Sequence, residues 1–231
     1  MTKPKKSRSN YLPPDKYLKT EEIQRLRRSV RKAAARARQR GTTRALVNEM
    51  LIDLMLETGL RAEEVCLLQL RDLPTHHGKD VILVRRGKGD VLRTVDIKAS
   101  MKKKLQEFIR TCRPGAKPGS PLFVNERGHR QLNCRVWRRG KTTEHKEHSA
   151  RLTYPSLYHK IKCIGKQAGL PHLTPHMLRH TFATHLHAVE HDLRYVQDQL
   201  GHSRPETTAR YARVLDEARR RQTEQLYLEF N

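Results

Sequence analysis

One phenol in this chain stands in company suited to phosphoryl chemistry. Tyr211 closes the run LGHSRPETTARY (200–211), which follows HLTPHMLRHTFATHL (172–186), and far upstream lies ETGLRAEEVCLLQL (57–70). These segments supply two arginines, Arg61 and Arg179, and two histidines, His176 and His202, around that nucleophile. A phenol can displace one oxygen of a phosphodiester, hold the phosphorus as an ester of similar energy, and later leave, so a strand broken this way rejoins without ATP. Phosphoryl transfer spreads negative charge over equatorial oxygens, and a guanidinium fork matches two of them while staying charged at any working pH. None of this requires a metal.

In a chain this basic, solvation at the surface is the ordinary fate of an arginine. Arg61, however, follows an apolar helix at a Gly-Leu turn, and Arg179 sits inside an apolar run. A buried arginine without a partner is costly, so each should have one. Glu64, one turn beyond Arg61 on the same helix face, is the natural neighbour. His176, His180, His185, His187 and His191 crowd one helix, and i, i+4 histidine pairs can bind zinc. There is no HExxH, and nearby carboxylates are few (Glu190, Asp192). Surface or core histidines are the preferred reading, with no metal and no other cofactor expected.

The 231 residues hold 48 Lys+Arg against 24 Asp+Glu, a formal charge of +24. Such an excess points to a polyanionic partner, because neutralising phosphates releases condensed counterions. A protein that only coats nucleic acid would show the same balance. Four scattered cysteines (Cys66, Cys112, Cys134, Cys163) form no CxxC pair, which argues against a zinc knuckle or disulfide framework and fits a reducing compartment. No apolar run approaches the ~18 residues of a membrane span, and the N-terminus lacks a secretory apolar stretch. The expectation is a soluble cytoplasmic protein with no membrane partner, associated with the nucleoid if the source is bacterial.

These residues need elements to hold them. Residues 1–16, with three prolines, read as a disordered basic arm carrying Lys3, Lys5, Lys6 and Arg8. From Tyr17 the pattern is helical, with Thr20 as N-cap and Gly41 as stop. Residues 1–50 hold fifteen Lys/Arg against four Asp/Glu, a density that could track a phosphate backbone or simply be solvated. A second helix over about 43–57 carries a core-facing stripe, Gly59 caps it, and Leu60-Arg61 opens a short third helix. VILVR (81–85) and VLRTVDI (91–97) around RGKGD predict a hairpin with Lys88 near its tip. Helices are expected over 98–112, 154–169, about 175–188 and 192–200, with a short buried strand at 121–125 and a surface loop at 138–151. The fold class is mainly α with a small antiparallel β-sheet (α+β).

The order GLRxxE (59–64), a hairpin lysine, HxLRH (176–180), LGH (200–202) and a tyrosine nine residues beyond that histidine resembles the tyrosine recombinase (phage-integrase) family. The resemblance implies that residues 17–215 form the catalytic domain. It implies that Tyr211 attacks a scissile phosphate of double-stranded DNA, leaving a 3′-phosphotyrosine and a free 5′-hydroxyl. Tyr158 and Tyr195, away from the matching position, are then core tyrosines. Arg61 and Arg179 would hold the phosphate oxygens, Lys88 would protonate the leaving oxygen with His176 and His202 as acid–base or hydrogen-bonding partners, and Glu64 and His180 would support the site. Lys79 and the flanking Arg85, Arg86 and Arg93 compete with Lys88; the last three also join the arm residues as expected DNA contacts. Family members usually carry a separate helical domain ahead of the catalytic one, whereas here the pattern starts almost at once. The basic arm, an accessory DNA-bending or clamp protein, or a compact architecture would each answer that. Synapsis implies a homo-tetramer on DNA, with residues 216–231 docking on a neighbour or folding back. A type IB topoisomerase-like enzyme, or a DNA-binding protein that kept the fold without the chemistry, are the rival readings.

Overall fold

The computed structural model describes residues 16–86, 90–125, 150–190 and 192–201. Lys88, His202, Tyr211, the expected basic arm up to residue 15, the expected loop over 138–149 and the C-terminal segment 216–231 lie outside the described residues.

Three helices open the fold: α1 (Thr20–Gln39), α2 (Arg44–Thr58) and α3 (Ala62–Leu67). Thr20 is the first residue inside α1 rather than its cap; the cap position is Lys19, whose backbone N–H donates to the Glu22 carboxylate at 2.9 Å. A glutamate three residues in can satisfy that N–H from inside the helix, so no Ser or Thr is needed there. The single stripe expected on α2 is in fact a helix buried nearly all round, because α1, α5 and α7 pack against it from different sides. After a 3₁₀ turn (Leu70–Asp72) and the short α4 (Pro74–His77), β1 (Val81–Arg86) and β2 (Asp90–Asp96) pair antiparallel. Their register sets Val84 opposite Arg93 and slips between Val84 and Arg85.

α5 (Ala99–Cys112) follows, then α6 (Tyr154–Gln167), α7 (Pro175–Glu190) and α8 (Leu193–Leu200). The segment expected as a strand at 121–125 is buried but forms only isolated bridges, Gln69 with Pro121 and Val124 with Arg151. On the Gln69 side the 3₁₀ turn beginning at Leu70 ends the pairing. Asp192 caps α8, its carboxylate accepting the N–H groups of Arg194 and Tyr195 at 2.8 and 3.2 Å. One large apolar core joins α1, α2, α3, the hairpin, α5 and α6, and a smaller one joins Ala183, Val196 and Leu200 across α7 and α8. Cys66 is buried as a small apolar residue, and burial pushes its thiol up to about 12. No described helix is long and apolar enough to cross a membrane.

Candidate active site

The three motif segments meet at the backbone of Leu200 and Gly201. Arg179, on α7 and 5% exposed, donates from Nη1 to the carbonyl of Gly59 at 2.6 Å and from Nη2 to that of Leu200 at 2.9 Å. Arg61, between α2 and α3, donates from Nη2 to the Gly201 carbonyl at 2.9 Å and from Nη1 to Glu64 Oε1 at 3.0 Å. Two cations far apart in sequence are thus held on adjacent carbonyls, immediately ahead of His202. Arg61 keeps 39% of its side chain exposed, and among the described residues it spends two of a guanidinium's five donors, on these bonds.

Glycine is required where the arginines converge. Gly59 ends α2 at φ 61°, and a Cβ there would lie 2.2 Å from the Phe182 ring and 2.9 Å from Leu200. Gly59→Ala combines a left-handed backbone with this overlap, so a loss of about 3 kcal/mol is expected, read as a lowered melting temperature. Gly201 ends α8 at φ 63°, and a Cβ there would meet the Arg93 side chain at 2.8 Å.

Glu64 is the hub behind the arginines. It accepts the Arg61 backbone N–H at 2.7 Å and both terminal nitrogens of Arg93, at 2.7 and 3.0 Å. Burial alone would raise its carboxyl, but the hydrogen bonds and charge of Arg93, then the backbone and charge of Arg61, outweigh it and hold the group at about 2. Arg93 Nε also donates to the Gln199 carbonyl at 3.2 Å, while the Gln199 amide donates to Asp96 at 2.7 Å. Strand β2 is thereby tied to the end of α8.

Several expected contacts sit differently. Arg93, set among DNA contacts from sequence, is turned inward with 9% of its side chain exposed, its guanidinium spent on Glu64. Arg85 likewise pairs with the buried carboxylate of Asp72. Arg93 faces inward from β2, where a cation must take a carboxylate with it. The side chain of Arg86 is outside the described residues, as are Lys3, Lys5, Lys6 and Arg8. His176 and His180 lie one turn apart on α7 with ring centroids 5.8 Å apart, His176 exposed and His180 half-buried. Among the described residues no group of three or more His, Cys, Asp or Glu could hold a metal ion. Gln199 and the inward role of Arg93 escaped the sequence reading. A signal existed for Arg93: two residues from buried Val95, it shares that inward strand face.

The sequence model of the phage integrase family matches residues 16–218. The chain belongs to that family, the tyrosine recombinases. Tyrosine recombinase XerC of Mycobacterium sp. (strain KMS) is 33% identical over 185 residues, 79% of this chain and 54% of that protein. Tyrosine recombinase XerA of Pyrococcus horikoshii is 31% identical over 170 residues, 73% of this chain and 51% of that one. Among solved structures, XerA recombinase matches with a TM-score of 0.66 at 27% identity, covering 93% of this chain and 65% of that chain. XerH site-specific recombinase, solved bound to its difH substrate before cleavage, matches at 0.62 and 29%, covering 90% and 52%. This tyrosine recombinase family member spans about half the length of the curated relatives it matches.

Proposed function

We propose that the chain is a site-specific DNA recombinase acting in the cytoplasm on double-stranded DNA, and that Tyr211 is its nucleophile. The Tyr211 oxygen attacks the scissile phosphorus, the bond to the 5′-oxygen breaks, and Lys88 gives that oxygen its proton. A 3′-phosphotyrosine and a 5′-hydroxyl result; attack by a 5′-hydroxyl from another strand reverses the step and releases the phenol. Arg61 and Arg179 hold the equatorial oxygens, His176 and His202 act as acid–base or hydrogen-bonding partners, and Glu64 and His180 brace the site. No ATP enters, because the ester conserves the bond energy, and the two guanidiniums supply the positive charge that a metal would otherwise bring. Four copies assemble on DNA at synapsis, with residues 216–231 docked on a neighbour.

The observation that carries this reading is the seating of Arg179 and Arg61 on the carbonyls of Leu200 and Gly201. Those carbonyls belong to the two residues preceding His202, and Tyr211 follows His202 by nine residues. The test is a nicked suicide duplex carrying the recombination site recovered from cells. A covalent protein–DNA adduct is expected, mapping by mass spectrometry to the Tyr211 peptide and missing in Tyr211→Phe. An adduct on another residue, or none, overturns the assignment.

A further inference from the structure

We propose that the solvent face of α1 is a second DNA-contacting surface, a track for the phosphate backbone of duplex lying beyond the point of cleavage. Arg25, Arg28, Lys32 and Arg36 recur at three- and four-residue spacing. At 100° per residue they fall within about 80° of arc, and at 1.5 Å per residue they form a line about 16 Å long. All four are exposed, and among the described residues none is ion-paired. The face opposite carries buried Leu26, Val30, Ala34 and Ala37.

The arginines nearer that buried face behave otherwise. Arg27 pairs with Glu57 at 3.0 Å and Arg38 with Glu49 at 2.7 Å, pinning α1 antiparallel to α2. The fold therefore uses Arg27 and Arg38 and leaves the outer four uncompensated. Successive like charges at i, i+4 repel one another, so the row works against the helix it sits on. The two acids of α1, Glu21 and Glu22, occupy its first turn, where they complement the helix terminus, and no negative side chain follows them on the helix. Ser29, Ala33 and Ala35 flank the row, too short to hold a rigid phosphate surface away.

The row also begins beside the first turn of α7. Arg25 lines a cleft of about 830 Å³ together with Lys16, Lys19, His172 and Glu22, and Met177 and Thr174 close it at the first turns of α7, the helix bearing His176 and Arg179. The Leu18 N–H, donated to Thr181 Oγ1 at 2.8 Å, ties the start of α1 to that helix. From this cleft the row runs toward the far end of α1. A duplex presents one phosphate per strand for each 3.4 Å of axis, so a 16 Å row lies alongside about five.

The inference rests on the recombinase reading only for the identity of the polyanion. The test measures binding of the full chain to a 40-base-pair duplex of arbitrary sequence across a salt series. Variant R28Q/K32Q/R36Q keeps strong helix formers; it removes repulsion within the row and, at Arg36 in the last turn, a favourable charge at the helix C-terminus, so its melting temperature should change little. Its slope of log K against log salt should fall by about 2.7, with affinity down about tenfold or more at physiological salt. A control of equal charge change, K98Q/K103Q/K166Q, replaces exposed lysines scattered over two other elements and should leave the slope close to wild type. An unchanged slope in the first variant, or an equal fall in both, overturns the proposal, as does binding lost to anionic vesicles while that to DNA persists. Adduct formation at Tyr211 is scored separately: its absence in the wild type defeats the catalytic reading without touching the salt slope.

Discussion

Arg179→Ala is expected to slow adduct formation by a factor of about 10³ or more while DNA affinity changes only a few-fold. Two losses combine. The charge that meets the phosphate oxygens in the transition state disappears, and the carbonyls of Gly59 and Leu200 lose their donor. Each stranded carbonyl costs about 1–3 kcal/mol, so the variant should also melt lower. Because that instability could itself reduce rate, Arg179→Lys is the informative companion. A lysine keeps the charge but is a point donor that cannot hold two carbonyls and a phosphate as a planar fork does. Its adduct rate should stay at least tenfold below wild type at a temperature where both are fully folded. Wild-type rates in either variant would remove Arg179 from the site.

The salt dependence of binding should survive these changes, since Arg179 is a single buried residue and most of the positive excess lies elsewhere. The proposed reaction thereby separates binding from chemistry: exposed cations would set affinity through phosphate contacts, whereas the buried arginine would act on the charge that develops during reaction.

What the sequence disclosed and what it hid follow from range. Helix ends were legible because they are local: Gly59 and Gly201 end helices whose apolar pattern stops there. The Arg61–Glu64 pair was legible because three-residue spacing puts both on one turn. That Arg179 needed a partner could be argued from the apolar run around it; that the partners would be the carbonyls of Gly59, 120 residues away, and Leu200 could not. The inward direction of Arg93 was hidden for a related reason. In a chain with 48 Lys+Arg a basic strand residue reads as a DNA contact, and only the pleat, setting it beside Val95, betrays its inward direction. The segment at 121–125 was buried as its composition implies, yet strand identity depends on a partner, which no local pattern supplies.

Glu64 carries the second large effect, and its sign follows from a carboxyl held at about 2 against an ordinary 4.5. A depressed carboxyl contributes stability that is fully present above the unfolded value and is lost as pH falls from about 4.5 through about 2. The size is on the order of 3 kcal/mol, since each tenfold change in proton affinity is worth about 1.36 kcal/mol. Glu64→Gln removes that charge and leaves Arg93, whose side chain is 9% exposed, without its counter-ion. A buried charge stripped of its partner costs about 3–5 kcal/mol. At neutral pH the variant should therefore melt about 10 °C lower in a chain of this size. Between pH 5 and 2 its stability should fall less steeply than that of wild type, because the titrating group is gone. The functional consequence runs through position: Arg61 loses one of its two side-chain anchors, so adduct formation should fall while the Tyr211 phenol is untouched. Glu64→Asp, which restores the charge on a shorter stem, should recover the acid limb of the stability profile more fully than the rate. Identical acid limbs in Glu64→Gln and wild type would show that the Arg93–Glu64–Arg61 chain does not set the carboxyl, and with it would go the claim that this chain holds Arg61 in place.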